Sequence, residues 1–259
     1  MILAIANQKG GVGKTTTAVN LGAYLARLGR NVLVVDCDPQ ANATTALGLS
    51  RPQVAGRTLY EVLSGALALE EIVLRTSIEG LELAPSSAVL AGAEVELVEG
   101  GQFETRLRDV LRPLAHRWDI VVLDCPPSLG VLTVNALVAA DAVVVPVQCE
   151  YLALEGLAQL LTTIDLVRSR ANPALRLAGL LLTMYDSRTN LSQQVAAEVR
   201  RHFPATFASA IPRSIRLGEA PSYGQTILEY DPTSRGAAAY SALAQELLAR
   251  LEGAAGGVA

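Results

Sequence analysis

This sequence predicts an α/β fold, doubly wound, with a mostly parallel sheet flanked by helices. Three observations carry that prediction. Short, continuous aliphatic runs alternate with helix-like stretches, and such runs read as strands buried on both faces of a parallel sheet. The 259 residues are 51% apolar and 18% charged, with a mean hydropathy of +0.33. That is ample for one large core and unlike the aliphatic-poor, charge-rich composition of a disordered chain. No internal repeat and no linker interrupts the pattern, so one domain is expected over residues 1–252, with a flexible tail over 253–259.

In chain order, Ile2 to Ala6 is the first strand. It runs through Asn7-Gln8-Lys9-Gly10-Gly11-Val12-Gly13 into a helix from Lys14 to about Leu28, closed by Gly29, since glycine readily takes the left-handed conformation that ends a helix. Asn31 to Val35 is a second strand, ending at Asp36-Cys37-Asp38-Pro39. Residues Val54 to Gly100 are harder to read, with amphipathic pieces over Leu59–Leu63 and Leu69–Val73 and a short strand at Leu81–Leu83. Phe103, Leu107, Val110, Leu111 and Leu114 recur at helical spacing and predict a helix over Phe103–Ala115. Asp119 to Leu123 is a strand ending at Asp124-Cys125-Pro126-Pro127-Ser128, where the two prolines stiffen the following loop. Further strands are expected at Ala142–Val147, Leu177–Thr183 and Thr206–Ile211, with helices over Leu152–Arg168, Leu191–His202 and Ser234–Leu251. In such a sheet, ligands bind at the carboxyl ends of the strands.

Composition excludes several classes. The longest apolar runs, Val143–Val147 and Leu177–Leu182, fall far short of the roughly 18 residues of a membrane-spanning helix. Met1 is followed by no basic segment or cleavage site, so no secretory signal is expected. Cys37, Cys125 and Cys149 are widely spaced and odd in number, which gives no disulfide framework and fits a reducing cytoplasm. Aromatic residues are only 4% of the chain, a poor basis for stacking on single-stranded bases.

The net charge of −4 hides an uneven distribution. Between Leu166 and Leu217, eight arginines (168, 170, 176, 188, 200, 201, 213 and 216) face Asp186 and Glu198, a net of +6 that leaves −10 elsewhere. Such a segment forms either a local positive face or ordinary helix surfaces paired with acids from other elements. Of 21 basic residues only Lys9 and Lys14 are lysines. A compact ammonium on a flexible stem suits a phosphate pocket where a planar guanidinium does not fit.

Lys9-Gly10-Gly11-Val12-Gly13-Lys14-Thr15-Thr16 lies between strand and helix, the context a phosphate-binding loop requires. Its glycines let backbone N–H groups converge on phosphate oxygens, and the helix N-terminus adds its positive end. Lys14 is placed to bridge the terminal phosphates of ATP or ADP, and the Thr15 hydroxyl to ligate Mg²⁺. The strict GxxxxGK[ST] pattern fails at Gln8, and the variant KGGVGKT, with its extra lysine, stands instead.

With NQKGGVGKTTTAVNL, VVDCDPQANAT, LDCPPS, PVQCEYLALEG, TMYDSRTNLSQQV and IPRSIRLGEAPSYG, the chain resembles, nearly end to end, the ParA/Soj family of the ParA/MinD superfamily. These are P-loop NTPases of the deviant Walker A type. The resemblance implies an ATPase that uses Mg²⁺ and forms an ATP-dependent homodimer, slow without its partner. Lys9 matches the lysine that reaches the nucleotide of the second subunit; a counter-charge to its own phosphates is the alternative. Asp36 resembles the first switch aspartate, near Mg²⁺ through water. Asp38 resembles the residue that positions the attacking water, and Asp124 the Walker B aspartate on the Mg²⁺ shell. An aspartate at a strand end can also simply cap the next helix. Met184 and Pro212, with Arg213, fall where the family holds its adenine.

Arg188, Arg213 and Arg216 match positions that contact double-stranded DNA without sequence preference; a pocket or salt-bridge role is the alternative for Arg213. A ParB-type centromere-binding protein is the implied partner, and a cytoplasmic, nucleoid-associated location the implied place. No helix-turn-helix precedes the first strand and no basic amphipathic helix closes the chain, so neither operator reading nor membrane binding is expected. Cys37 and Cys125 adjoin motif aspartates, which speaks against an iron–sulfur reading. The rival function is a ParA-like ATPase that positions a protein cargo or cell-division component without a DNA track.

Overall fold

The structure is a computed structural model that describes residues 1–99, 104–150 and 153–255. The chain runs β1 (Ile2–Ile5), α1 (Lys14–Arg27), β2 (Val32–Asp36), α2 (Asn42–Ala46), α3 (Arg51–Val54), α4 (Leu59–Ser64), α5 (Leu69–Ile72), β3 (Leu74–Arg75) and β4 (Leu81–Ala84). It continues through α6 (Leu90–Glu99), α7 (Arg106–Leu111), β5 (Ile120–Asp124), α8 (Val131–Ala139), β6 (Ala142–Gln148), α9 (Ala153–Arg170) and β7 (Arg176–Tyr185). The last elements are α10 (Asn190–His202), β8 (Ala210–Pro212), α11 (Ile215–Glu219), α12 (Ile227–Tyr230) and α13 (Arg235–Ala255).

The eight strands form one sheet in the order β3-β4-β2-β5-β1-β6-β7-β8, parallel throughout except for the β3–β4 pair. From β1 the chain winds to one side as far as β4. It returns through β5, which inserts between β2 and β1, and then extends to the other side. The reversal opens a crevice at the carboxyl ends of the central strands. Side chains alternate across the sheet as the pleat requires. Ile2, Ala4, Leu33, Val35, Val121 and Leu123 pack with α8 and α9, while Leu3, Ile5, Val32, Val34, Ile120 and Val122 pack with α1 and α13. Both faces are buried, which is why the strands read as unbroken apolar runs rather than alternating ones.

The structure departs from the sequence expectations in several places. Helix α8 was not expected: Val131–Ala139 is apolar around nearly its whole circumference, so it carries no 3.6-residue signature. Asn172 Nδ2 closes its far end, donating to the carbonyls of Leu137, Val138 and Ala140 at 3.0, 3.1 and 2.7 Å. The helix expected over Phe103–Ala115 is α7 followed by a 3₁₀ segment, Arg112–Arg117, because Pro113 has no amide to continue the α-helical ladder. The amphipathic pieces expected over Leu59–Leu63 and Leu69–Val73 and the strand expected at Leu81–Leu83 are α4, α5 and β4; helix α6 and the short strand β3 come in addition.

The strand expected over Thr206–Ile211 is only Ala210–Pro212. Backbone groups just before it are taken by α13 instead. Arg250 donates to the carbonyls of Ala205 and Thr206, and Glu246 accepts from the amides of Ala208 and Ser209. Helix α13 continues to Ala255, past the expected start of the tail; residues 256–259, and the expected helix positions Phe103 and Leu152, lie outside the described residues.

Gly179 lies opposite Val144, where the β6–β7 register shifts. A Cβ there would stand 2.5 Å from the Ala205 carbonyl oxygen, 2.7 Å from the Phe207 ring and 2.9 Å from the Arg250 guanidinium. Gly179→Ala should therefore destabilise the fold by about 1–3 kcal/mol. An unchanged urea midpoint would show that the strand shifts without cost.

Candidate functional site

Strands β5, β1 and β2 end side by side, with Ile5 and Asp36 both level with Asp124. The loop after β1 rises from this edge into α1. Gly11 and Gly13 have φ of 73° and 88°, a left-handed conformation that side chains resist. Asn7 holds the start of the loop, donating to the Pro146 carbonyl at 2.7 Å and accepting from the Lys9 amide at 3.0 Å. Among the described residues, no protein acceptor takes the backbone N–H groups of Gly10 through Thr16. Consecutive unpaired amides at a helix N-terminus form a cradle for an anion.

Lys14 is buried, and its ammonium donates to the Lys9 carbonyl at 3.0 Å. Desolvation lowers its pKa, opposed first by the nearby carboxylate of Asp124 and less by that of Asp38. Lys9 points elsewhere: its ammonium lies 3.5 Å from Glu150, and both side chains are more than a third exposed.

The two strand-end aspartates differ sharply. Asp36 accepts from the Thr44 amide (2.8 Å), the Thr44 hydroxyl (2.7 Å) and the Asp38 amide (3.1 Å). Burial still pushes its pKa up to about 6 against those bonds. Asp124 is fully buried, and among the described residues neither carboxylate oxygen has a hydrogen-bond partner. Thr15 stands near enough to favour its charged form without closing a well-formed bond, so burial first, then Asp36, drives the pKa far upward. An orphaned buried carboxylate beside a threonine hydroxyl and a phosphate cradle is the donor set that Mg²⁺ takes, one or two protein oxygens with phosphate and water completing the shell. Among the described residues no group of three or more His, Cys, Asp or Glu side chains is arranged to hold a metal ion by itself. Asp38 turns the chain out of β2, and one of its oxygens accepts from the Gln40 amide at 2.9 Å.

On the other side of the loop, a cavity of about 360 Å³ is lined by Gly13, Thr16, Met184, Ile211, Pro212 and Arg213, among others. Met184 is left-handed, with φ of 51°, an unusual state for a side chain of its size. The turn carries the end of β7 towards β8, where Tyr185 pairs with Pro212. The expected base-binding residues therefore do meet in one pocket beside the phosphate cradle.

The expected DNA contacts are partly brought together. Asp186 receives Arg188 at 2.8–2.9 Å, and first that arginine, then Arg213, hold its carboxyl well below the usual carboxylate range. Arg213 also lies 3.7 Å from Glu150. Arg216 pairs with Glu219 and Asp231 at 3.1 and 3.5 Å. These acids reduce the excess charge counted along the sequence, but Arg188 remains 86% exposed. Thr44, Glu150 and Asn7 were not singled out from the sequence; all three lie inside the quoted motifs, yet their partners are 8 to 141 positions away. The three cysteines are buried free thiols. Burial pushes Cys37 and Cys125 upward, so they remain protonated.

A carboxylate held dry with no partner costs stability, whether it keeps its charge or takes up a proton on folding. Asp124→Asn should raise the urea stability of the nucleotide-free protein by about 1 kcal/mol or more while abolishing the Mg²⁺ dependence of nucleotide binding. Loss of stability on this substitution would contradict the orphaned-carboxylate description.

Comparison with known proteins agrees with this geometry. An AAA-domain family model matches residues 1–177. The chain is 52% identical over 250 residues to the chromosome partitioning protein ParA of Myxococcus xanthus, covering 96% of this chain and 88% of that one. It is 51% identical over 249 residues to the sporulation initiation inhibitor protein Soj of Bacillus subtilis, covering 96% and 98%. Among solved structures, a Mycobacterium smegmatis protein described as cobyrinic acid a,c-diamide synthase, with bound ADP and magnesium, superposes with a TM-score of 0.86 at 41% identity, covering 97% of this chain and 95% of that one. The chain belongs to the ParA/Soj family of chromosome-partitioning ATPases, within the ParA/MinD superfamily.

Proposed function

We propose that residues 1–252 act as one ATP-driven switch for DNA segregation. In this reading two ATP-bound copies dimerise face to face, the dimer binds double-stranded DNA without sequence preference, and hydrolysis releases it. The observation that carries the reading is the division of labour between the two lysines. Lys14 already serves the chain's own phosphate cradle from a buried position. Lys9, whose ammonium among the described residues makes one half-exposed contact, to Glu150 at 3.5 Å, is free to leave for the nucleotide of a second copy, since a surface pair of this kind is weak.

Hydrolysis at such a site is a matter of positioning and charge stabilisation. Gly10, Gly11, Val12, Gly13, Thr15 and Thr16 hold the phosphates through their amides, and Lys14 balances charge on them. Asp38 has one oxygen committed to Gln40, which leaves the other for the attacking water. Thr15 and Asp124, with Asp36 behind them, would hold Mg²⁺, which when bound offsets the charge that develops on the leaving phosphate. Met184, Pro212 and Arg213 form the base pocket. Turnover is slow alone and is stimulated by a ParB-type partner. Arg188, Arg213 and Arg216 supply the DNA face, which dimerisation doubles, and the protein works in the cytoplasm at the nucleoid. Among the described residues no helix is long and apolar enough to cross a membrane.

Binding to unrelated duplex DNA, measured without nucleotide and with ADP, ATP or a non-hydrolysable analogue, tests this directly. Tight binding is expected only with the triphosphates, weakening about 10³-fold between 50 and 200 mM salt for six phosphate contacts per dimer. No DNA binding in any state would overturn the proposal in favour of a cargo-positioning ATPase. Replacing Arg188 and Arg216, which do not line the base pocket, together with Glu should strongly weaken DNA binding and leave ATP-dependent dimerisation intact, as read by light scattering. Asp38→Ala should retain ATP and trap the DNA-bound dimer; loss of ATP binding instead would disprove its assigned role.

A further inference from the structure

We propose that Thr183 is a positioning residue of the nucleotide site, one that sets the phosphate loop from the strand that also walls the base pocket. Thr183 is buried near the end of β7, and its hydroxyl donates to the Val12 carbonyl at 2.8 Å. Its own carbonyl accepts from the Cys149 amide at 3.1 Å and it pairs in register with Gln148, so the hydroxyl projects from a fixed strand. Val12 is itself buried, and among the described residues its carbonyl has no other donor.

A trans peptide is planar, and its C=O and N–H point in opposite directions. The bond that fixes the Val12 carbonyl on β7 therefore also fixes the Gly13 N–H the other way, where no atom of the described residues accepts it. Gly13, left-handed at φ 88°, is the residue through which the loop enters α1. Without the hydroxyl, the Val12–Gly13 peptide would lose its restraint, and rotation would turn a carbonyl dipole instead of an amide toward bound phosphate. The very next residue, Met184, takes the left-handed turn into the base pocket. Two consecutive residues of β7 thus serve the two ends of a nucleotide. Thr183 restrains the loop that holds the phosphates, and Met184 faces the base.

This inference rests on the nucleotide-binding reading of the site, and the test separates the two. Affinities for ATP, ADP, inorganic triphosphate and adenosine would be measured by calorimetry or competition for the wild-type chain, Thr183→Val and Thr183→Ser. Valine keeps the shape and removes the donor. With it, Kd for ATP, ADP and triphosphate should rise about tenfold, with adenosine within twofold of wild type, and serine should restore the phosphate ligands. Thermal midpoints of the free proteins report folding separately, and a valine variant that does not fold leaves the serine rescue and a Thr183→Cys variant, a weaker donor of intermediate expected affinity, to decide the matter. Unchanged ATP affinity in the valine variant, or equal weakening of ATP and adenosine, overturns the role of Thr183 alone. Failure of the wild-type chain to bind any adenine nucleotide overturns both readings.

Discussion

Two carboxylates at the ends of adjacent buried strands are the constraint around which the rest of this molecule is arranged. Asp36 and Asp124 stand level in the β2–β5 ladder and are both inaccessible to water. Like charges in a dry setting repel, and each costs desolvation energy. The fold treats them differently. Thr44 supplies Asp36 with an amide and a hydroxyl, whereas among the described residues Asp124 receives no well-formed hydrogen bond. Asp36 is thereby absorbed into the structure, and its acceptance of Thr44 ties the start of α2 to the end of β2. Asp124 is left as an uncompensated acceptor beside Thr15 and within the field of Lys14, a position that makes sense when a cation and phosphates share it. Destabilised groups of this kind concentrate at functional sites.

The surroundings make that edge rigid. The phosphate loop is tied to β6 by Asn7 and to β7 by Thr183, so its unpaired amides are set by neighbouring strands rather than by the loop alone. Preorganised donors of this sort cost no reorganisation when the anion arrives. Thr44 reaches further still, since its hydroxyl also accepts from the Ser86 amide after β4. The segment after β2, which carries Asp38, is in this way anchored to two strands.

Charge at the surface follows a looser logic. Glu150 lies between Lys9 and Arg213, and Asp186 between Arg213 and Arg188. These contacts run from the phosphate loop to the arginines at the ends of β7 and β8, and those with a solvent-exposed partner are individually worth little. Ligands that compete for Lys9 or for the arginines can therefore displace them readily. Arg216 belongs to a separate group with Glu219, Asp231 and the Tyr230 ring.

Much of this was legible in the residues. Aliphatic strands, the glycine-rich loop before a helix, and aspartates at strand ends are local signals, because each depends on the residues immediately around it. The double winding followed from the alternation of elements, since a sheet covered on both faces needs unbroken apolar strands. What the chain could not disclose locally was set by contacts between distant segments. Helix α8 is hidden because burial all round erases its period, and β8 is short because Arg250 and Glu246, some forty residues later, take the backbone groups before it. The roles of Thr44, Thr183 and Glu150 are likewise invisible in sequence, as hydroxyls and carboxylates gain meaning only from what the fold places within 3 Å or so of them. The arginine-rich window read as a net positive segment, but acids just after β6, in α11 and just after α12 answer part of that charge. Sequence determined which groups are present and in what local frame; only the packed sheet decided which of them stay unpaired, and those are the ones left to meet a ligand.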